Sequence, residues 1–363
     1  MYAFSIILFF AVSALACGTA PNATASTSIT TSAAPSATST TAIPEASTAS
    51  RNTAPSGALV VGSDGDYATI QAAIDALDSS SSTEQSIFIQ PGMYTEQVYI
   101  QKLTGPLTIY GSTADASSYA SNEVTITSSQ ALADVSTDDE TATLRVWTSE
   151  FKMYNVNVKN TYGKAASNGQ ALAVSANAEN QGYFGCGFFS YQDTVLAEVG
   201  AQLYAGCYIE GAVDFIFGQQ AQAWFDNCDI GVLATSYGTI TASGRASDDA
   251  GYYVINNSTI AAASGQTVPS GAYYLGRPWR DYARVVFQMT SMTDVVNAAG
   301  WIEWSSSDPR TDHVTLAEYD NSGAGSEGTR ASFASTLSEP IAITDVLGSD
   351  YASASWVDTS YIS

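Results

Sequence analysis

Histidine is all but missing from this 363-residue chain, with His313 the sole example. A Ser/His/Asp triad or a histidine-rich zinc centre therefore has one candidate imidazole, and His313, set in the polar run Asp312-His313-Val314, reads as a surface residue. Basic side chains are scarce as well. Twelve dispersed Lys and Arg stand against 35 Asp and Glu, a net charge of −23, which excludes the clustered phosphate contacts of a nucleic-acid binder and disfavours firm retention of a heavily ionised polyanion. A neutral substrate fits that charge better. No apolar run is long enough to cross a bilayer, so no membrane partner is expected.

Charge and large apolar residues are also rare from about Cys17 to Gly57, where Ser, Thr, Ala and Pro dominate and Glu45 and Arg51 are the only charged side chains. Such a stretch buries too little apolar surface to offset its ordering entropy and is expected to be a disordered linker over 17–57. Ahead of it, the short apolar run Ile6 to Ala16 ends in the small-x-small site Ala14-Leu15-Ala16, the pattern of a secretory signal peptide over 1–16. An extracellular protein is expected, and N-glycosylation acceptors begin at Asn22, Asn256 and Asn257.

The remainder, 58–363, reads as one folded domain. In Thr69 to Leu77, residues Ile70, Ala73, Ile74 and Leu77 share a helical face. Short strand-like runs follow, at Ile87–Ile89, Val98–Ile100, Leu107–Tyr110, Val124–Thr127, Leu144–Trp147 and Met153–Val158, punctuated by Gly, Asn, Ser and Asp.

A repeat organises the centre of the chain. Cys186, Cys207 and Cys228 are spaced by 21 residues, and the same step joins Tyr183, Tyr204 and Phe225, and Phe188, Ile209 and Ile230. Three columns with one period fit an all-β solenoid, a right-handed parallel β-helix whose coils stack roughly 4.8 Å apart, with the early helix as an N-terminal cap over the apolar end. The fixed Leu and Asn spacing of a leucine-rich repeat is missing. Three stacked thiols can form one disulfide among themselves at most, and the spacing allows either that bridge or an interior ladder of free thiols; the ladder is the favoured reading.

The 21-residue step also carries Asp193 onto Asp214, each seven residues beyond its cysteine. Two carboxylates about 5 Å apart repel by roughly 3 kcal/mol at an effective dielectric near 20, so one should hold a proton while the other ionises. By itself the pairing serves equally well as two solvated turn aspartates or as an acid and nucleophile.

The text around the pair resembles the pectin methylesterase family. The matching segments, in order, are Gly92-Met93-Tyr94-Thr95-Glu96, Gln170-Ala171-Leu172-Ala173-Val174, Tyr191-Gln192-Asp193-Thr194, Asp214-Phe215-Ile216-Phe217-Gly218 and Leu275-Gly276-Arg277-Pro278-Trp279. The resemblance implies a secreted hydrolase, an aspartyl esterase removing methyl esters from pectin, without metal or organic cofactor and acting as a monomer. It further implies Asp214 as nucleophile, Asp193 as general acid and base, Gln170 and Gln192 as oxyanion donors, Arg277 as the partner that orients Asp214, and Trp279, Trp301 and Tyr191 as substrate contacts. Arg245 is assigned a structural role only. Two rivals stay open at this stage: a calcium-dependent lyase or polygalacturonase on a similar scaffold, and an inactive pectin-binding module.

Overall fold

The computed structural model describes residues 47–363. The expected signal peptide, Cys17, Asn22 and most of the expected linker lie outside the described residues.

The chain coils as a parallel β-helix. The central coils each give one strand to each of three parallel sheets, of eleven, seven and eight strands, and pair with the coils before and after them. The 21-residue step is the length of the two coils that run from Gln181 to Gln202 and from Gln202 to Ala223. Tyr183 pairs in register with Tyr204 and Tyr204 with Phe225, and their rings stack inside the solenoid at 4.8 and 4.6 Å with planes tilted by 9° and 8°. Phe188, Ile209 and Ile230 form a second buried column.

Cys186, Cys207 and Cys228 are free and fully buried, so the ladder reading holds. Each thiol donates to a main-chain carbonyl of the preceding coil, at Met153 (3.4 Å), Tyr183 (3.3 Å) and Tyr204 (3.4 Å). A small side chain with a weak donor suits a column where carbonyls of the coil below would otherwise face only carbon.

The corner just before that column explains a difference from the sequence reading. The single strand expected over 153–158 is two, Phe151–Tyr154 and Asn157–Asn160, in different sheets. Between them Asn155 adopts a left-handed backbone, φ 52°, and the same corner recurs at Gly185, Gly206, Asn227, Asn257, Met289 and Asp320, all at φ 45–60°. Gly, Asn and Asp enter this region at little cost, whereas Met289 does so with strain. One acceptor for N-glycosylation is thereby used up: Asn256 is 5% exposed, donates to Asp226 at 2.6 Å and accepts from Gln288. Asn257 beside it is exposed.

The N-terminal helix spans Ile70–Asp75, shorter than the apolar face suggested. Thr69 caps it, the Glu96 carboxylate accepts from the Ile70 and Gln71 amides at 2.9 Å each, and Ile70, Ala73 and Ile74 are buried over the end of the solenoid. It closes early because Ala76 and Leu77 bond three residues back, to Ala73 and Ile74, rather than four. Two further short helices, Asp138–Thr141 and Ile343–Leu347, carry no long apolar period. The folded body also begins earlier than residue 58. Arg51 exchanges main-chain hydrogen bonds with Thr113, donates to Asn155 at 2.8 Å and stacks over Tyr110 and Tyr154, so the linker stops short of 57.

Candidate active site

The seven-stranded sheet builds the site. Asp193 lies in the turn entering strand Val195–Ala197, and Asp214 lies in strand Val213–Gly218 one coil on. The pairings Gln192 with Val213 and Val195 with Ile216 bracket the two aspartates at the same step of successive coils. Both take left-handed backbones, φ 60° and 48°, and the register against the next strand, Gly238–Ser243, slips between Val213 and Ile216. Such a bulge re-aims a side chain that regular alternation would direct elsewhere.

The two carboxylates are each 7% exposed and line one cleft of about 220 Å³ with Gln170, Gln192, Arg277 and Trp279. Arg277 clasps Asp214 through Nε at 2.9 Å and Nη2 at 2.6 Å, and the Thr239 hydroxyl donates to the same carboxylate at 2.6 Å. Three donors, two of them from the guanidinium, hold Asp214 in one orientation. Asp193 has no such clasp. Burial pushes its carboxyl well above the ordinary range, the neighbouring charges of Asp214 and Asp138 push the same way, and Arg277 and the Gln192 amide oppose without reversing it. One cleft thus sets an aspartate that burial drives towards its protonated form beside an aspartate clasped by an arginine.

Gln170 and Gln192 stand on the cleft wall, on the coils of strands Val174–Ala176 and Val195–Ala197. The side-chain oxygen of Gln170 is buried without a partner, which leaves its NH₂ end for the cleft. Trp279 follows Arg277 on the same chain turn and packs against Phe217 at 6.2 Å between ring centres.

Trp301 is not in the cleft. It is 1% exposed, packs edge-on against Phe287 and donates to Glu318 at 3.3 Å, so it has no face for a ligand. Trp304 lines the cleft in its place, with the Arg277 guanidinium 4.4 Å from its ring centre. Residues 301 and 304 fall on opposite sides of an extended chain, so if one enters the core the other faces out. Tyr191 also lies outside this cleft. It lines a neighbouring recess with Lys159, Phe189 and Glu210, and Lys164 sits 5.8 Å over its ring.

The sequence reading missed Asp138, Thr239, Phe217 and Trp304. Asp138 opens the short Asp138–Thr141 helix and brings a third carboxyl into the cleft, raised by burial. Phe217 stood in a quoted segment without a role, and Thr239 is visible only once strand register is known. Arg245 is structural: it is 3% exposed and paired with Asp248 at 2.7 Å and Asp249 at 3.1 Å. His313 is exposed and stacks on Tyr282. Among the described residues no group of three or more His, Cys, Asp or Glu is placed to hold a metal ion, and no helix is long and apolar enough to cross a membrane.

A solenoid with a long open flank, and two carboxyls recessed in that flank, is the architecture of carbohydrate-active β-helix enzymes. Comparison with known proteins narrows the class. The chain belongs to the pectinesterase family, whose family model matches residues 58–342. It is 60% identical over 317 residues to a pectinesterase of Aspergillus niger, covering 86% of this chain and 95% of that one, and 58% identical to a pectinesterase of Aspergillus aculeatus over the same length. Among solved structures, the deglycosylated pectin methylesterase of Aspergillus niger superposes with a TM-score of 0.80 at 43% identity, covering 86% of this chain and all of that one. The pectin methylesterase from carrot gives 0.74 at 28% identity over 84% of this chain and 98% of its own. The expected right-handed parallel β-helix is therefore the fold of this chain.

Proposed function

We propose that this pectinesterase works through Asp214 as nucleophile and Asp193 as general acid and base. The enzyme is secreted and hydrolyses methyl esters of homogalacturonan, releasing methanol and leaving pectate. The observation that carries the assignment of roles is the asymmetry of the pair: Asp214 is clasped by Arg277 and Thr239, while Asp193 is buried without a cationic partner.

An oxygen of Asp214 attacks the ester carbonyl carbon, and negative charge moves to the carbonyl oxygen, where the NH₂ groups of Gln170 and Gln192 receive it. As the tetrahedral intermediate collapses, Asp193 gives its proton to the departing methoxy oxygen, and methanol leaves an anhydride between Asp214 and the galacturonate. Asp193, now ionised, takes a proton from water as that water attacks the anhydride; the bond to Asp214 breaks, the galacturonic acid departs and gives its proton to solvent, Asp214 is restored as a carboxylate, and Asp193 holds its proton again. Trp279 and Trp304 border the reacting ester and offer ring faces to the sugars on either side.

Asp214→Asn tests the assignment. It keeps the shape of the side chain and is expected to abolish methanol release from highly esterified pectin with an unchanged circular dichroism spectrum; retained turnover would remove the nucleophile.

The leader over 1–16 and the Ser/Thr/Ala-rich stretch after it are proposed to direct export and to tether the catalytic body. That body acts as a monomer. Large exposed apolar side chains among the described residues are Met93, Trp147, Tyr237 and Met289, scattered singly rather than gathered into a contact patch. Sedimentation equilibrium reads this directly.

A further inference from the structure

The outer face of the eight-stranded sheet carries a groove that the ester-hydrolysing cleft does not use. It has a volume of about 500 Å³, within the range of ligand sites. Strands Gly187–Phe189, Tyr208–Gly211 and Asp229–Val232 lie side by side beneath it. Their inward residues Phe188, Ile209 and Ile230 fill the core, so the alternate residues Phe189, Tyr208, Glu210 and Asp229 face out. Tyr119, from a single 3₁₀ turn far earlier in the chain, folds over the same face.

Three features make this a built surface. Phe189, Tyr208 and Tyr119 form a continuous aromatic run, with ring centres 5.2 and 5.3 Å apart. Both phenols are held in place, Tyr208 donating to Glu210 at 2.9 Å and Tyr119 to Asp229 at 2.6 Å. Gly231 gives the space: a Cβ there would lie 2.2 Å from the Tyr208 hydroxyl. The rings are thus fixed before any ligand arrives, and the two carboxyls keep lone pairs free to accept from hydroxyls.

From this geometry we infer a second carbohydrate-binding site, for the methyl-esterified pectin chain itself. Pyranose C–H faces match the aromatic run, and sugar hydroxyls match the acceptors of Glu210 and Asp229. The same two carboxyls repel unesterified galacturonate: among the described residues the groove lining holds no Lys or Arg, and Lys159 stands at the Phe189 end, 6.0 Å from that ring centre. The groove is also continuous with the enzyme's working side. It shares Phe189 and Glu210 with a recess of about 350 Å³ that reaches Tyr191, which immediately precedes Gln192 and Asp193. A polymer entering the cleft can therefore lay a distant, still esterified stretch along this face. The inference rests on the pectinesterase reading for its substrate.

The test compares two substrates in the full-length protein. A Phe189→Ala/Tyr208→Ala double variant is assayed on polymeric, highly esterified pectin and on dimethyl digalacturonate, which is too short to reach both sites. KM for the polymer is expected to rise about tenfold, with kcat and KM for the short ester unchanged. Ala262→Trp, at an exposed position of the groove lining, fills the groove and should give the same split should the double variant fold poorly. An unchanged polymer KM in Ala262→Trp overturns the site, as does an equal loss on both substrates. The short ester reads the catalytic cleft alone, so a failure of the esterase assignment would show in the parent protein and a failure of the groove only in the variants.

Discussion

Arg277 reaches Asp214 across an intervening strand, whose Ala242, the register partner of Arg277, puts only a methyl group into the cleft lining. Phe217 pairs with Ala242 and Ala242 with Arg277, so the guanidinium spans two coils to make its 2.6 and 2.9 Å contacts. Ala242→Leu removes no polar group yet should deflect Arg277. A fall in kcat of about 10- to 100-fold is expected, the loss of a charge-assisted pair worth about 1.5–3 kcal/mol. Steady-state kinetics on esterified pectin, with a thermal melt to exclude unfolding, decides it.

Asp193→Asn should lose methanol release by about 10²- to 10⁴-fold, the usual worth of a positioned acid and base. The same variant should be more stable than the parent near neutral pH. The folded protein holds this proton more tightly than the unfolded chain does, so parental stability falls as pH climbs above the unfolded value near 3.8. Well below pH 3.8 both states are protonated and the advantage vanishes. Urea denaturation of both proteins at pH 3.5 and pH 7 measures the difference, and an advantage that did not grow with pH would contradict the burial of a protonated Asp193.

Glu198 offers an independent pH signature. It sits at the end of the Asp193 coil, accepts from the Gln219 amide and side chain at 3.1 Å each, and burial lifts its carboxyl to about 7. Ionisation in the fold is disfavoured, so stability should decline from about pH 4.5 to about pH 7 by on the order of 3 kcal/mol, at roughly 1.4 kcal/mol per unit. In Glu198→Gln that part of the slope should disappear. Chemical denaturation at pH 4.5 and pH 8 reports it as a smaller difference between the two pH values than in the parent.

The two neighbouring tryptophans should separate cleanly. Trp301→Ala empties a fully buried site and is expected to cost about 3–5 kcal/mol of stability. Trp304→Ala should leave the melting temperature nearly unchanged while raising KM for pectin and lowering kcat, since its ring faces the cleft and carries the Arg277 guanidinium. Melting curves beside kinetics discriminate the roles; the reverse pattern would return Trp301 to the cleft.

The Asp193 and Asp214 pair was legible from residue counting because the coils that carry it have minimal turns, so chain distance and spatial step coincide. Arg277 was not legible that way. It stands 63 residues after Asp214, three steps of 21, yet only two coils away. The register coils run 25 residues from Phe217 to Ala242 and 35 from Ala242 to Arg277, and only the resemblance of Leu275-Gly276-Arg277-Pro278-Trp279 exposed it. Thr239 was lost to the same irregularity. Asn155 hid a sheet boundary because Met153, Tyr154, Val156 and Val158 read as ordinary strand, and the left-handed corner at Asn155 is a backbone property that composition states only weakly. Trp301 was misplaced because Trp suits both a core and a sugar platform, and choosing between positions 301 and 304 requires knowing which side of the strand meets the interior.

The separation of the Asp193 and Asp214 carboxyls is gauged by a ladder of main-chain hydrogen bonds between adjacent coils rather than by a hinge or flap. Warming that agitates surface segments leaves this gauge at its cold setting until the ladder itself parts. Turnover should therefore persist at full specific rate up to the onset of cooperative melting and vanish with it in a single step, like a ruler that stays true until it snaps.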